Sequence, residues 1–356
     1  MIPLLDLADR TSLSAFDDII DVRSPAEFAQ DHVPDAINLP VLDNDERSRV
    51  GTLYVQESRF LARRVGAALV ARNIAGHLET ELKDKPASYA PLVYCWRGGQ
   101  RSNAMATVLA QVGWRPTLLG GGYRTYRRRV TTALYDAAPA LRVVLLDGNT
   151  GVAKTEILQR VAALGVQVLD LEGLADHRGS LFGGHGARPQ PSQKLFESRL
   201  LAGIEAIDQA RPVLVEAESS KIGEINLPPG LWAAMRAAPR IEISAPRAAR
   251  ALYLTQAYGD IIGDADGLAR ALAKLPRHLG SEQRAAWSAM AQAGAFIALA
   301  ESLIAEHYDP AYERSRRQDA RPALGAVALE RLDAPTLDRA ALDVARIFDS
   351  LPPPSD

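Results

Sequence analysis

The residues best suited to chemistry surround the only cysteine of this 356-residue chain. Cys95 follows the apolar run 92–94 and begins the loop Cys95-Trp96-Arg97-Gly98-Gly99-Gln100-Arg101-Ser102. The pattern predicts a strand, a glycine-bearing loop and a helix start, whose inward N–H groups and helix N-terminus attract anions. Such a field favours the thiolate, the nucleophilic form of cysteine, over a role as a small buried hydrophobic side chain. The sequence therefore predicts a catalytic thiol loop made of Cys95, Arg97, Gly98, Gly99 and Arg101.

The C-x5-R spacing of this loop is shared by two enzyme classes. Cysteine phosphatases bind phosphate in such a loop, whereas rhodanese-type sulfurtransferases carry sulfur on the cysteine as a persulfide. Tyr94 stands where a phosphatase has a histidine, and Arg97 adds a second cation, so the sulfurtransferase is favoured. A cysteine phosphatase and another rhodanese sulfurtransferase stay open as alternatives, as does a non-catalytic RNA-binding module.

A second motif, in the other half of the chain, predicts phosphate binding. It resembles the Walker A pattern G-x4-G-K-[ST] and lies between an apolar strand at 143–146 and a helix at 156–164. Its residues are Gly148, Asn149, Thr150, Gly151, Val152, Ala153, Lys154 and Thr155. Backbone amides would hold a diphosphate, Lys154 would neutralise it and Thr155 would hold Mg²⁺. Ala153 replaces the second glycine, which costs roughly 1–2 kcal/mol if the site needs positive φ and nothing if it is helical.

Acidic residues at the ends of other strands are candidates for the metal site of this loop. Glu216 follows the apolar run 213–215, and Asp170 follows another strand, with Glu218 as a further option. A glycine-rich stretch, 174–186, is too long for an idle loop, so Glu172, His177 and Arg178 are predicted to contact a ligand. No pair of histidines has metal-ligand spacing on a helix, so no structural metal is expected.

The densest basic run is Arg124-Thr125-Tyr126-Arg127-Arg128-Arg129, with Tyr123 before it. Interleaved tyrosines suit phosphate contact combined with base stacking. Arg124, Arg127, Arg128 and Arg129 are therefore predicted to contact the phosphates of a nucleic acid, the alternative being an ordinary solvated helix face.

The whole sequence indicates a globular, two-domain α/β protein. Hydrophobic residues make up 47% of it, the net charge is −2, and one cysteine excludes a disulfide framework and fits a reducing cytoplasm. The N-terminus lacks the features of a signal peptide, and no apolar run approaches the ~18 residues of a membrane span. Strands alternating with helices predict parallel sheets. A polar connector at 43–47 is expected to precede a helix at 57–72.

These patterns predict four segments. They are a rhodanese-like parallel-sheet domain (1–135), a linker (136–141), a P-loop NTPase-like α/β domain with a helical C-terminal part (142–350) and a disordered tail (351–356).

Taken together, the motifs resemble the tRNA 2-selenouridine synthase family, in which a rhodanese domain precedes a P-loop domain. The resemblance is carried by Asp21–Phe28, Asn44–Arg47, Cys95–Ser102, Gly121–Tyr123, the phosphate loop and, most specifically, Asp170–Ser180. Within the first of these segments, Asp21 and Arg23 are interpreted as an ion pair that holds the fold.

The resemblance implies a reaction that the composition does not reveal. Members of the family convert 2-thiouridine at the tRNA wobble position into 2-selenouridine with selenophosphate, through an S-geranyl intermediate made from geranyl diphosphate. Cys95 would then be the selenium-handling thiol, and the phosphate loop would bind either geranyl diphosphate or a nucleotide. A selenophosphate-producing enzyme is the implied partner, and Mg²⁺ but no prosthetic group is expected.

Overall fold

The computed structural model describes residues 2–6, 13–137, 140–178, 189–217, 219–275, 280–316 and 321–351. Part of the predicted linker and nearly all of the predicted tail lie outside these ranges, as do Glu218 and residues 179–188. The chain forms two compact units. One is Met1–Ala137 with Ser192–Glu205, and the other is Ala138–Pro191 with Ala206–Asp356.

The first unit is built on a parallel sheet of five described strands with the order β1-β5-β4-β2-β3. The strands are β1 (Leu4–Leu5), β2 (Ile19–Asp21), β3 (Ala36–Asn38), β4 (Leu92–Tyr94) and β5 (Thr117–Leu119). The chain winds outward from β2 to β3 and then from β4 to β5 on the other side. Between β2 and β4 lies the switch point at which α/β sheets bind ligands, beside the carboxyl ends of the strands. Cys95 follows β4 directly and therefore lies at this position.

Within the described residues, five α-helices lie before Ala138 in the sequence. They are α1 (Pro25–Gln30), α2 (Asn44–Gln56), α3 (Arg59–Glu79), α4 (Gln100–Val112) and α5 (Tyr123–Thr131). The polar segment predicted as a connector is instead the start of α2. Asp43 accepts a hydrogen bond from the amide of Glu46 (2.7 Å), and Glu46 accepts one from the amide of Asp43 (3.0 Å). This reciprocal cap satisfies amides that a helix start leaves free, so the polar residues begin the helix rather than delay it.

The second unit has its own parallel sheet, with the order β12-β11-β6-β8-β7. Its strands and a separate β9–β10 hairpin are β6 (Val143–Gly148), β7 (Val168–Leu169), β8 (Val213–Glu216), β9 (Lys221–Ile222), β10 (Ile225–Asn226), β11 (Arg240–Ser244) and β12 (Ala323–Ala328). β6 is central, and the chain passes to β7 and β8 on one side before β11 and β12 form on the other. The carboxyl end of β6 is thus the switch point of this sheet, and the phosphate loop begins there.

The remaining helices are α6 (Lys154–Ala163), α7 (Leu171–Leu174), α8 (Gln193–Glu205), α9 (Pro229–Ala237), α10 (Arg247–Ala257), α11 (Gly259–Ile262), α12 (Ala265–Ala273), α13 (Ser281–Gln292), α14 (Phe296–Leu303), α15 (Asp309–Arg316) and α16 (Ala334–Asp349). Both α6 and α16 pack on the core of the sheet, and α12–α14 enclose a separate apolar cluster around the buried Trp287. The expected helical C-terminal part is therefore present. No helix in the described ranges has the length and apolar character needed to cross a membrane.

Helix α8 lies in the second half of the sequence but packs in the first unit. The Ser198 hydroxyl donates to the buried Asp31 carboxylate (2.7 Å), and the Arg127 guanidinium donates to the Lys194 carbonyl (3.2 Å). Boundaries drawn along the sequence assign this helix to the P-loop domain, since nothing in its local pattern reveals where it packs.

Candidate active site

The thiol of Cys95 lies at the floor of the loop that joins β4 to α4. Its Sγ accepts hydrogen bonds from the Gly99 amide (3.3 Å) and the Ser102 hydroxyl (3.2 Å), and the side chain is 3% exposed. Burial opposes ionisation, but hydrogen bonds from Ser102 and from the loop amides outweigh it and lower the pKa of Cys95 below its usual value. The loop therefore favours the thiolate through backbone amides and a hydroxyl.

The two arginines of the thiol loop are placed differently. Arg101 forms a salt bridge with Glu27 (2.7 Å), whose carboxylate also accepts from the Ser24 amide at the start of α1 (3.2 Å). Burial raises the pKa of Glu27, but Arg101 more than compensates, so this pKa lies below its usual value. The Arg97 side chain is exposed. The structure thus joins Arg101 to α1 and leaves Arg97 exposed.

Helix α5 begins against the thiol loop because Gly122 allows a close backbone approach. Gly122 has φ of 61°, and a Cβ there would lie 2.3 Å from the Cys95 carbonyl oxygen. The Tyr123 amide donates to that carbonyl (2.9 Å), and the Arg124 amide donates to the carbonyl of Trp96 (3.2 Å). Arg124, whose side chain is exposed, is thereby held beside the loop.

The ion pair expected between Asp21 and Arg23 is present and buried, at 2.6 Å. The guanidinium carbon of Arg23 lies 4.0 Å from the ring centroid of Tyr123, a cation–π contact, and the group donates to the Asp31 carbonyl (2.6 Å). These contacts join the end of β2 to α5, which is a structural role.

The four basic residues predicted to bind tRNA divide into two pairs. Arg127 forms an ion pair with Glu197, and Arg129 forms one with Glu205, so both hold α8. Arg124 and Arg128 are exposed. Half of the basic run is therefore committed to packing inside the first unit, which the sequence pattern did not indicate.

In the second unit, the phosphate loop connects β6 to α6 as the motif predicts. Ala153 has φ of 61° and ψ of 35°, a left-handed conformation that an L-residue adopts at a cost of roughly 1–2 kcal/mol. The loop thus retains the backbone of a glycine at this position. At Gly148, a Cβ would lie 2.6 Å from the Ile243 carbonyl oxygen, so only glycine fits there.

The polar side chains of the phosphate loop make local contacts. Lys154 Nζ donates to the Gly148 carbonyl (2.8 Å). Thr155 Oγ1 donates to Glu172 (2.7 Å), and the Glu172 amide donates to Glu216 (2.6 Å). The hydroxyl expected to hold Mg²⁺ therefore contacts the carboxylate of Glu172 in α7, and Glu216, at the end of β8, contacts the backbone of Glu172.

Asp170, the other candidate acid, lines a cleft together with Thr155 and Glu172. Its carboxylate accepts from the Gly173 amide (2.7 Å) and caps α7. Across the part of the chain that the structure describes, no group of three or more His, Cys, Asp or Glu side chains is arranged to hold a metal ion.

Two residues distant in sequence support the phosphate loop and were missed by sequence reasoning. Arg250, 4% exposed, donates to the Thr150 carbonyl (2.9 Å) and pairs with Asp309 (2.8 Å), which accepts from the Asn149 amide group (2.8 Å). A buried arginine and an aspartate outside any motif carry no local signal.

His177 and Arg178, predicted to contact a ligand, line the same cleft as the phosphate loop, together with Glu172. The guanidinium carbon of Arg178 lies 4.9 Å from the ring centroid of Tyr258. Arg178 is therefore a second cation, with Lys154, among the residues that line this cleft.

Comparisons with known proteins cover both units. A family model described as the tRNA 2-selenouridine synthase AAA domain matches residues 141–331, and a rhodanese-like domain model matches residues 4–129. The crystal structure of a rhodanese-related protein from Thermoplasma volcanium has 18% identity and a TM-score of 0.24, covering 36% of this chain and 92% of that one.

Curated relatives extend the match across the chain. The tRNA 2-selenouridine synthase of Psychromonas ingrahamii is 34% identical over 266 residues, which cover 74% of this chain and 69% of the relative. That of Aeromonas salmonicida is 33% identical over 333 residues, covering 83% and 86% respectively. The rhodanese and P-loop fold predicted from the motifs is confirmed, and the chain belongs to the tRNA 2-selenouridine synthase family.

Proposed function

We propose that this chain, a member of a family of tRNA-modifying enzymes, converts wobble 2-thiouridine into 2-selenouridine through an S-geranyl intermediate. Selenophosphate would be the selenium donor and geranyl diphosphate the alkyl donor. The observation that carries the proposal is the presence of two anion-binding loops of different chemistry. One holds a thiol whose pKa is lowered, and the other is a phosphate loop with a lysine and a threonine.

Two loops match the two chemical steps of such a reaction. Sulfur on C2 of uridine leaves poorly as an anion, but its S-alkyl form leaves as a neutral thiol and makes C2 more electrophilic. In the first step a C–O bond of geranyl diphosphate breaks and a C–S bond forms, releasing diphosphate. In the second, selenium attacks C2 and the C2–S bond breaks. A reactive thiol serves only the second step, and a phosphate loop serves only the first.

At the thiol loop, the Cys95 thiolate would attack the phosphorus of selenophosphate, so that an S–P bond forms and the P–Se bond breaks. The hydroselenide released would attack C2 and displace geranylthiol, and water would then hydrolyse the S–P bond to give inorganic phosphate. The amides of Arg97 and Gly99 and the N-terminus of α4 would bind the phosphate part of selenophosphate, as those two amides now bind the sulfur. Arg97 would add its charge to the departing phosphate, and Glu27 would keep Arg101 in place. One exposed arginine and one arginine held by an ion pair suit a loop that must bind an anion and then release inorganic phosphate.

At the phosphate loop, Lys154 would exchange the Gly148 carbonyl for the diphosphate of the alkyl donor. The Thr155 hydroxyl and the Glu172 carboxylate beside it would offer oxygen ligands of the kind that Mg²⁺ prefers, and Glu216 would hold Glu172 in place through its amide. When bound there, the ion would neutralise the diphosphate leaving group. Arg178, which lines the same cleft, would add a second positive charge.

The remaining proposals concern partners and place. Arg124 and Arg128, both exposed, would contact tRNA phosphates next to the thiol loop. Selenophosphate would come from a separate enzyme in the cytoplasm. Neither a phosphatase nor a non-catalytic RNA-binding module uses both loops, so the family membership and the paired loops favour the synthase.

An omission experiment tests the proposed reaction directly. The protein is incubated with 2-thiouridine tRNA, geranyl diphosphate and selenophosphate, each is left out in turn, and the digested nucleosides are weighed by mass spectrometry. Without selenophosphate, S-geranyl-2-thiouridine should accumulate, and without geranyl diphosphate no selenouridine should form. Selenouridine at full yield in the absence of geranyl diphosphate would refute the intermediate.

A further inference from the structure

An apolar pocket lies beside the phosphate loop in the second unit. It is lined by side chains of α10, α11, α12 and α14, among them Leu254, Ile261, Leu268, Phe296, Leu299 and Leu303. Its empty space is about 550 Å³, including the part that opens to solvent. Apart from two threonines and the hydroxyls of two tyrosines, the lining is aliphatic or aromatic.

This pocket adjoins the phosphate-loop cleft. Thr150, Leu254 and Tyr258 line both spaces. Leu254 rests on the loop itself, since a Cβ placed on Gly151 would lie 3.0 Å from Leu254 Cγ. A ligand with its phosphates on the loop therefore has an apolar wall directly beside it. On the cleft side, the guanidinium group of Arg178 makes a cation–π contact with the ring of Tyr258, so a cationic and an apolar surface meet there.

We propose that the pocket binds the hydrocarbon chain of a prenyl diphosphate whose diphosphate occupies the phosphate loop. This inference rests on the proposed function, in which the loop binds the diphosphate of the alkyl donor, and it adds where the chain of that donor lies. Burial of a hydrocarbon chain against aliphatic and aromatic side chains is favourable in proportion to its area. A base and ribose would instead bury polar groups against a lining that offers few partners, which is costly.

Two substitutions on one helix test the pocket with a matched control. Ala300 lines the pocket, whereas Ala298 is exposed on the same helix, α14. Calorimetry on the full chain would measure binding of geranyl diphosphate, dimethylallyl diphosphate, inorganic diphosphate and GTP. Ala300→Phe should weaken the binding of geranyl diphosphate by about 10-fold or more, because the ring takes space from the hydrocarbon chain. It should leave the affinity for inorganic diphosphate unchanged. Ala298→Phe should match the wild type for both.

Chain length gives an independent readout. In the wild type, geranyl diphosphate should bind at least about 10-fold more tightly than dimethylallyl diphosphate, because five more carbons are buried. The difference should shrink in Ala300→Phe. If Ala300→Phe also loses binding of inorganic diphosphate, the second unit is misfolded in this variant. The pocket is then tested with Leu254→Asn, and Leu252→Asn, at an exposed position on the same helix α10, is the control. Leu254→Asn should weaken the binding of geranyl diphosphate, whereas Leu252→Asn should not.

The outcomes separate this inference from the function on which it rests. Wild-type affinity for geranyl diphosphate in Ala300→Phe and Leu254→Asn, with Lys154→Ala still defective, would overturn the pocket and leave the donor assignment standing. Equal affinity of the wild type for geranyl and dimethylallyl diphosphate would also overturn the pocket. If GTP binds far more tightly than any prenyl diphosphate, both the pocket and the donor assignment are wrong.

Discussion

At the scale of single residues, the reactivity of Cys95 is a balance between burial and hydrogen bonding. Burial alone would raise the pKa of the thiol, but donors from Ser102 and the loop amides reverse the direction. The guanidinium of Arg101 is held by Glu27 and is not among the causes of this shift. The thiolate therefore depends on short-range dipoles in a nearly dry site, where a single donor carries weight.

Removal of one donor should therefore change the reactivity of the thiol. Ser102→Ala deletes the hydroxyl 3.2 Å from Sγ, so the pKa of Cys95 should rise. Because only the thiolate reacts with iodoacetamide, the alkylation rate of the variant should increase at higher pH than that of the wild type. Thr107→Ala, exposed on the same helix, serves as the control. Identical rate profiles for Ser102→Ala and the wild type would rule out the hydroxyl as a determinant.

Ala153 makes a second prediction at this scale. Ala153→Gly should relieve roughly 1–2 kcal/mol of left-handed strain, offset by the flexibility of glycine and the loss of one buried methyl. The free energy of unfolding should change by less than about 1 kcal/mol. Ala162→Gly, at ordinary helical angles in α6, has no strain to relieve and should lose up to about 1 kcal/mol. Urea unfolding that finds Ala153→Gly the more damaging of the two would contradict the strain.

At the scale of elements, α5 serves two surfaces at once. Its N-terminus supports the thiol loop, and its Arg127 and Arg129 hold α8 through Glu197 and Glu205. The same helix leaves Arg128 exposed. A run of basic residues that looks uniform in sequence is therefore divided by helical geometry into packing residues and solvent-facing residues.

Neighbouring arginines on α5 should consequently behave in opposite ways. Arg127→Ala leaves the nearly buried Glu197 without its ion pair and should destabilise the first unit by about 3 kcal/mol, measured by thermal or urea unfolding. Arg128→Ala should leave the free energy of unfolding unchanged but weaken tRNA binding. The slope of log K for tRNA against log salt concentration should fall by about one. A salt slope equal to that of the wild type would remove Arg128 from the RNA-binding surface.

At the scale of the whole molecule, one chain carries two compact units, each with a glycine-bearing loop at the switch point of a parallel sheet. The loops differ in what they can activate, since one offers sulfur and the other offers a lysine beside a hydroxyl. Each chemical step of the proposed reaction should therefore depend on one unit.

Two substitutions should separate these steps. Cys95→Ser should abolish selenium incorporation and spare S-geranylation, because the serine hydroxyl is not ionised at neutral pH. Lys154→Ala should abolish S-geranylation and still allow selenation of tRNA that is already geranylated. Mass spectrometry of nucleosides from both variants provides the measurement. Selenouridine formed by Cys95→Ser, or full geranylation by Lys154→Ala, would break the assignment of that step.

Much of this architecture was readable from the sequence, since it depends on neighbours along the chain. Cys95 after an apolar run and the loop before Lys154 were predicted because strand ends and glycine loops are short-range patterns. The family resemblance, carried by those same motifs, was confirmed.

Only the tertiary structure decided which groups face each other across long chain separations. Arg101 meets Glu27 from 74 residues away, Arg250 meets Thr150 from 100, and α8 joins a unit whose other residues end at Ala137. Such pairs arise from how sheets and helices pack, and no local pattern encodes the packing partner. The sequence by itself determined where the two glycine-bearing loops lie along the chain, because strand ends and helix starts are local patterns, and the fold determined which arginines form ion pairs and which stay exposed.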